Sequence, residues 1–203
     1  MSSTVPTDVP PISGGMDMVA LVKAIDPVFE ALQSANFFLT YIVNILLLAV
    51  IFRSRRKEFG SYVYLLIAFS INNMYYITVH FLTHCMPGMY RDSFVMFARG
   101  ALKSRLAISW YVAAHAQAFL LLVYHFIYRY LALKRPDFLQ YFLEWPMLCV
   151  LGGFAVLLNL TWFFTFFFLF KYDSFSIQYE RPFLMDFGID DPNYEFAAAV
   201  YWM

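Results

Sequence analysis

The chain has 203 residues, of which 62% are hydrophobic and 21% aromatic, and its mean hydropathy is +0.61. Only 14% are charged, against roughly 25% in a soluble domain. Lys plus Arg equal Asp plus Glu at 14 each, so there is no broad basic surface for nucleic acid, and the apolar excess excludes an ordinary soluble enzyme domain.

Residues 1–17, with Pro6, Pro10, Pro11, Gly14 and Gly15 and little that packs, read as a flexible tail, placing an extracellular segment at 1–25 ahead of one membrane domain at 26–203. No basic stretch precedes an early apolar segment, so no cleavable signal is expected. Four apolar runs follow, Ala35–Phe52, Tyr62–Phe81, Leu106–Tyr128 and Pro146–Phe170, each near or above the roughly 20 residues that a helix needs to cross hydrocarbon. The first predicts a helix over 27–52, with Asp26 as cap and Pro27 in the first helical position, closed by Arg53, Arg55, Arg56 and Lys57. A turn ending at Gly60 leads to a second helix over 61–81, and residues 82–105 form a longer connection. The third helix spans 106–128. Residues 129–145 read as a short loop with Arg129, Lys134 and Arg135, Pro136 as a breaker and Trp145 near the next interface. The fourth helix, 146–170, carries Gly152 and Gly153, suited to close helix approach in lipid, and Cys149 as a small buried hydrophobe. An acidic segment with Asp173, Glu180, Asp186, Asp190, Asp191 and Glu195 ends in apolar Phe196–Met203, which reads as the start of a fifth helix at 196–203, too short to span. The sum is an all-α membrane protein with four full helices and the opening of a fifth.

Only Lys23 precedes the first helix closely, whereas four basic residues follow it at once, and acidic residues gather before the first helix and after the fourth. An extracellular N-terminus follows from that bias, with Arg99, Lys103 and Arg105 pulling the other way. No HExxH motif, glycine-rich phosphate cradle or serine elbow is present, so no catalytic residue, cofactor or metal is expected. His80 and His84 share a face if the second helix continues that far, yet no acid or thiol stands at matching helical spacing. Asn159-Leu160-Thr161 has the glycosylation pattern but lies inside the fourth run, where lipid keeps it unmodified.

The third helix carries the sharper signals. Tyr111 and His115 lie one turn apart, with Trp110 beside them, and polar groups at that depth need partners. They serve either interhelical hydrogen bonding, the plainer reading, or a ligand pocket that Tyr76 and His80 of the second helix also reach. Asn44, Ser70, Asn72 and Asn73 read as structural polar contacts. At the other end of this helix, Arg129 stands between Tyr128 and Tyr130. An arginine there either snorkels or holds a polar contact that a conformational change breaks.

The run His125-Phe126-Ile127-Tyr128-Arg129-Tyr130 resembles a signature of nematode chemoreceptors of the serpentine receptor class r, the Str family. Gly60-Ser61-Tyr62-Val63-Tyr64-Leu65 resembles that family's opening of the second helix, with Val63 in place of the usual lysine. Tyr179-Glu180-Arg181-Pro182, followed by Phe187, Asp190, Asp191 and Tyr194, is similar to its second extracellular loop. The resemblance covers about residues 30–203. It implies a rhodopsin-like seven-helix receptor of sensory neurons, probing an odorant or other small cue at the plasma membrane, in the sensory cilium, and signalling through a heterotrimeric G protein. Tyr128, Arg129 and Tyr130 then form the activation switch at the G-protein face, and a receptor oligomer is a further partner. No cysteine follows Cys149, so Cys85 has no partner in the acidic loop. With the later helices missing, a receptor fragment is expected; a non-signalling membrane adaptor or remnant is the alternative. A small transporter fits less well, because no acidic residue lies within the four runs.

Overall fold

The computed structural model describes residues 15–53, 62–90, 93–142, 144–170, 174–191 and 193–200. Their elements, in chain order, are α1 (Gly15–Arg53), α2 (Tyr62–Thr83), β1 (Cys85–Tyr90), β2 (Ser93–Ala98), α3 (Arg105–Lys134), α4 (Pro136–Phe142), α5 (Trp145–Leu169), α6 (Ser174–Asp186) and β3 (Ala197–Val200). Helices α1, α2, α3 and α5 are each long and apolar enough to cross a membrane. The protein is a multi-pass membrane protein.

Helix α3 is the centre of the bundle. It packs between α2 and α5, and α1 lies against α2. In its most apolar stretch 33% of residues are buried within the chain, against none in α5, so the bare face of α5 needs hydrocarbon rather than water around it. Ala107, Ser109, Ala113 and Ala114 of α3 are buried, and their small side chains let neighbouring backbones approach closely. Farther along, Leu120, Leu121 and Tyr124 pack against Leu65 and Phe69 of α2 and Leu151, Ala155 and Leu158 of α5. Polar groups between the helices bond locally: the Tyr124 hydroxyl donates to the Leu151 carbonyl at 2.8 Å, Asn159 Nδ2 donates to the Ala113 carbonyl at 3.1 Å, and the Tyr41 and Thr78 hydroxyls meet at 2.7 Å.

One end of the bundle carries a cap. β1 and β2 form an antiparallel hairpin running from the pair Cys85–Ala98 to Tyr90–Ser93, and β3 adds antiparallel to the other edge of β2, pairing Ser93 with Val200 and Met96 with Ala197. Side chains along β2 alternate in direction. Val95 and Phe97 pack with Phe183 and Leu184 of α6, while Met96 and Ala98 pack with Ile108 of α3 and Phe166 of α5. The sheet is thus a middle layer, buried on both faces, between α6 and the helix ends. Gly88 permits this, because a Cβ there would lie 2.7 Å from the Phe183 ring.

These elements correct several sequence expectations. The chain is not four helices with the start of a fifth: the described residues hold six helical segments, and Ala197–Val200 is a strand. Alanine's helix preference is a weak local prior, and here it yields to the hydrogen-bonding edge of β2, where Ala197 and Ala198 fit a fully buried layer. Residues 201–203 lie outside the described residues, as do 1–14 of the expected tail and the Arg55–Lys57 cluster. The longer connection of residues 82–105 holds the hairpin, and 129–145, read as a loop, hold the end of α3 and all of α4. Pro136 opens α4 because its missing amide is unneeded at a first helical position. Asp26 and Pro27 lie inside α1 rather than at its start, and the Asp26 carboxylate instead grips Arg99 through Nη1 and Nη2 at 2.7 and 2.8 Å. Cys149 is exposed, and nothing lies within 4 Å of a Cβ built on Gly152 or Gly153. No close helix approach within the described residues uses them, because α5 turns that face outward.

Glu180 of α6 is completely buried against the hairpin tip. Among the described residues its carboxyl oxygens find no hydrogen bond of ordinary geometry, since the neighbouring Ser93 hydroxyl donates to the Tyr90 carbonyl at 2.6 Å. Desolvation raises its pKa above the ordinary 4.5. The folded state therefore favours the neutral acid: the cap is most stable below the ordinary carboxyl range and loses stability as pH rises through the raised value. Glu180→Gln should stabilise the cap at pH 7.5 by about 1–2 kcal/mol and flatten its pH dependence. Hydrogen exchange of α6 amides at several pH values checks this, and identical profiles for the two proteins would refute it.

Candidate functional site

Two groups of side chains on α2 and α3 hold the chemistry singled out in the sequence. Near the cap, Tyr76 and His80 are one helical turn apart on α2, as are Tyr111 and His115 on α3, and that spacing puts each pair on one face. The two faces meet. The Tyr76 hydroxyl lies 3.3 Å from the Tyr111 hydroxyl and 3.0 Å from His115 Nδ1. The His80 ring stacks on Tyr76 at 6.2 Å and tilts against Tyr111 at 5.4 Å between centroids. His80 Nδ1 is sealed from solvent with no hydrogen-bond partner among the described residues. Trp110 belongs to the next face, where its indole donates to the Tyr75 hydroxyl at 2.5 Å. His115 is exposed and meets the Phe119 ring edge-on at 5.0 Å, because α3 presents it at the margin of the α2 contact rather than the bundle interior.

The Tyr76 hydroxyl therefore bonds to both the Tyr111 hydroxyl and the His115 imidazole, and the His80 ring stacks beside them. An uncharged polar molecule entering here has to replace those bonds with its own, and the aromatic rings offer it stacking surface. Among the described residues no three His, Cys, Asp or Glu side chains gather as metal ligands. α2 ends at Thr83, and His84 stands at the junction with a left-handed φ of 42°, off the helical face of His80. Burial lowers its pKa and Arg99 adds to the effect, with Glu30 opposing both. Burial also pushes the Cys85 thiol up to about 12, leaving it unreactive at neutral pH.

At the other end of α3, Tyr128 and its two neighbours part company. The Tyr128 ring packs on Tyr62 at 4.9 Å, and the Tyr62 hydroxyl lies 3.1 Å from His125 Nδ1. His125 also meets Phe69 edge-on at 4.8 Å. Arg129 and Tyr130 are exposed, on the side of α3 turned away from α2. Of the side chains read as polar contacts, Asn44 bonds within its own helix to the Thr40 carbonyl at 2.8 Å, whereas buried Ser70 Oγ and Asn72 Nδ2 lack partners among the described residues. The Asp26–Arg99 ion pair and the Trp110–Tyr75 bond were not visible in the sequence. The first joins residues 73 positions apart, and no local pattern marks such a pair.

Residues 29–203 match the family described as serpentine type 7TM GPCR chemoreceptor Str. The chain is 30% identical over 121 residues to the serpentine receptor class r-10 of Caenorhabditis elegans, an alignment covering 55% of this chain and 35% of that protein. Its counterpart in Caenorhabditis briggsae is 27% identical over 124 residues, covering 56% and 36%. The serpentine receptor class J-38 of Caenorhabditis elegans is 27% identical over 152 residues, covering 64% and 46%. The chain spans less than half the length of these relatives. No solved structure matches it.

Tyr76 links α2 to both Tyr111 and His115, so its hydroxyl is the test of the cluster. Tyr76→Phe should lower stability by about 1 kcal/mol, and a cycle with His115→Ala should give a coupling of about 0.5–1.5 kcal/mol. Thermal unfolding of the full chain in nanodiscs measures both, and independent effects of the two substitutions would show that the bond contributes nothing.

Proposed function

The chain belongs to the Str family of serpentine seven-transmembrane chemoreceptors, and we propose that it serves as a chemosensory receptor, olfactory in role, for a small molecule held between α2 and α3. The observation carrying this reading is the Tyr76 hydroxyl set between Tyr111 and His115, with His80 stacked beside it. Tyr76, His80, Tyr111 and His115 line the site, and Trp110 borders it through Tyr75. A ligand that takes over the Tyr76 bonds changes the contact between α2 and α3. Because these helices also meet through Tyr62, His125 and Tyr128, that change reaches the end of α3 where Arg129 and Tyr130 stand exposed. There Tyr128, Arg129 and Tyr130 act as the switch that engages a heterotrimeric G protein. Receptors of this family are not enzymes, and the reading needs no cofactor.

The charge distribution supports an extracellular N-terminus and cap. Arg53 closes α1, and Arg129, Lys134 and Arg135 close α3, at the ends away from the cap, while Asp186, Asp190, Asp191 and Glu195 lie in the cap. The protein then resides in the plasma membrane, in the cilium of a sensory neuron, where volatile or dissolved cues reach the cap first.

In cells that report G-protein activation, a panel of small volatile and water-soluble compounds should include an agonist. Arg129→Ala should abolish the response at unchanged surface amount, and His115→Ala should raise the half-effective concentration about tenfold, as expected for a lost ligand hydrogen bond. A full response from Arg129→Ala would sink the assigned switch, and an unshifted dose curve for His115→Ala would sink the assigned pocket.

A further inference from the structure

The cap holds a second polar cleft, separate from the α2–α3 cluster. It encloses about 400 Å³ between two chain segments, a volume suited to one small molecule. The end of β2 and the stretch leading to α3 supply the cations Arg99 and Lys103, and the turn after α6 supplies Asp190 and Asp191. Phe187 and Ile189 of that turn also line the cleft, half-buried against the apolar cluster under α6.

The turn is held in place. Gly188 adopts a left-handed φ of 75°, its N–H donates to the Met185 carbonyl at 2.9 Å and the Ile189 N–H donates to the Leu184 carbonyl at 3.0 Å. That bonding pattern closes a helix C-terminus and fixes the residues that follow. The Tyr194 hydroxyl donates to the Ala98 carbonyl, pinning the acidic segment to the end of β2.

The charges are not equivalent. Arg99 is committed to Asp26 through both terminal nitrogens, so Lys103 is the cation left to a ligand. Asp191 Oδ1 accepts the Asn193 N–H at 2.9 Å, which leaves its second oxygen and the Asp190 carboxylate. A molecule carrying only a positive charge meets the two acids but also Lys103, and an anion meets the reverse. A molecule carrying both charges satisfies both walls. We propose that this cleft binds a small zwitterion, an α-amino acid with an apolar side chain: its ammonium on Asp190 and Asp191, its carboxylate on Lys103, and its side chain against Phe187 and Ile189.

L-Leucine is the probe, titrated calorimetrically into the full chain in nanodiscs. Saturable binding is expected. Isoamylamine and isovalerate, each keeping one of the charges, should bind at least about tenfold more weakly, the loss of one charged hydrogen-bond set. Lys103→Gln should weaken leucine and leave isoamylamine no weaker, while Asp190→Asn combined with Asp191→Asn should weaken both leucine and isoamylamine. All three side chains are exposed, so these variants keep the fold, and Lys103→Gln alone carries the test if the double variant melts early. His115→Ala should leave leucine binding unchanged, which separates this cleft from the α2–α3 cluster. Absence of saturable binding to folded protein, equal affinity for the single-charge analogues, or unchanged affinity in the charge variants would overturn the proposal and show these charges only to be solvated.

Discussion

A peptide group in hydrocarbon has no water to bond with, so every buried N–H and C=O must find its partner inside the protein. That constraint explains why the four long apolar stretches of this chain are helices and why α5, with none of its most apolar stretch buried in the chain, is so strongly apolar. It also explains the arrangement of the bundle. With lipid covering the outer faces, α3, which packs on α2 and α5, carries buried small residues that permit close contact. Where the chain leaves the bundle the constraint relaxes, and strands become possible. The three-stranded sheet appears at that end, its two faces covered by α6 and by the ends of α3 and α5.

Charge follows the same division. Among the described residues the ion pair joins Asp26 near the cap end of α1 to Arg99 at the end of β2, and the polar contacts between α2 and α3 are made by hydroxyls and imidazoles. Polar groups without a full charge cost less to desolvate than charged ones, which suits them to a membrane interior. The cap can instead use carboxylates and ammonium groups. The two regions therefore differ chemically: aromatic rings and hydroxyls line the contact between α2 and α3, and charged side chains line the cap. Arg105 links the two regions: its backbone N–H donates to Glu195 at 2.8 Å and its guanidinium lies 4.8 Å from the Phe167 ring centroid.

Parts of this were open to reading in the sequence because they are local. A run of about 20 apolar residues declares a spanning helix whatever surrounds it, and a one-turn spacing places Tyr111 with His115 and Tyr76 with His80 on common faces. The strand at Ala197–Val200 was not legible. Four small apolar residues suit a helix or a strand equally, and the deciding partner, β2, lies about a hundred residues earlier in the chain. The helical path of 129–142 was hidden for a related reason, since Pro136 reads as a breaker until its place at the head of α4 is known.

What the sequence determined by itself, then, was the solvent: the length and apolarity of its runs require hydrocarbon, and the run from His125 to Tyr130 carries the family likeness. Tertiary structure decided which groups face each other. It brought Tyr76 to Tyr111 and His115, set Asp26 on Arg99, buried Glu180 and sent Cys149 outward. The physical reason is one of range. Hydrophobic transfer and helix periodicity act residue by residue along a segment, whereas pairing, burial of a given charge and strand addition depend on which distant segment arrives beside it.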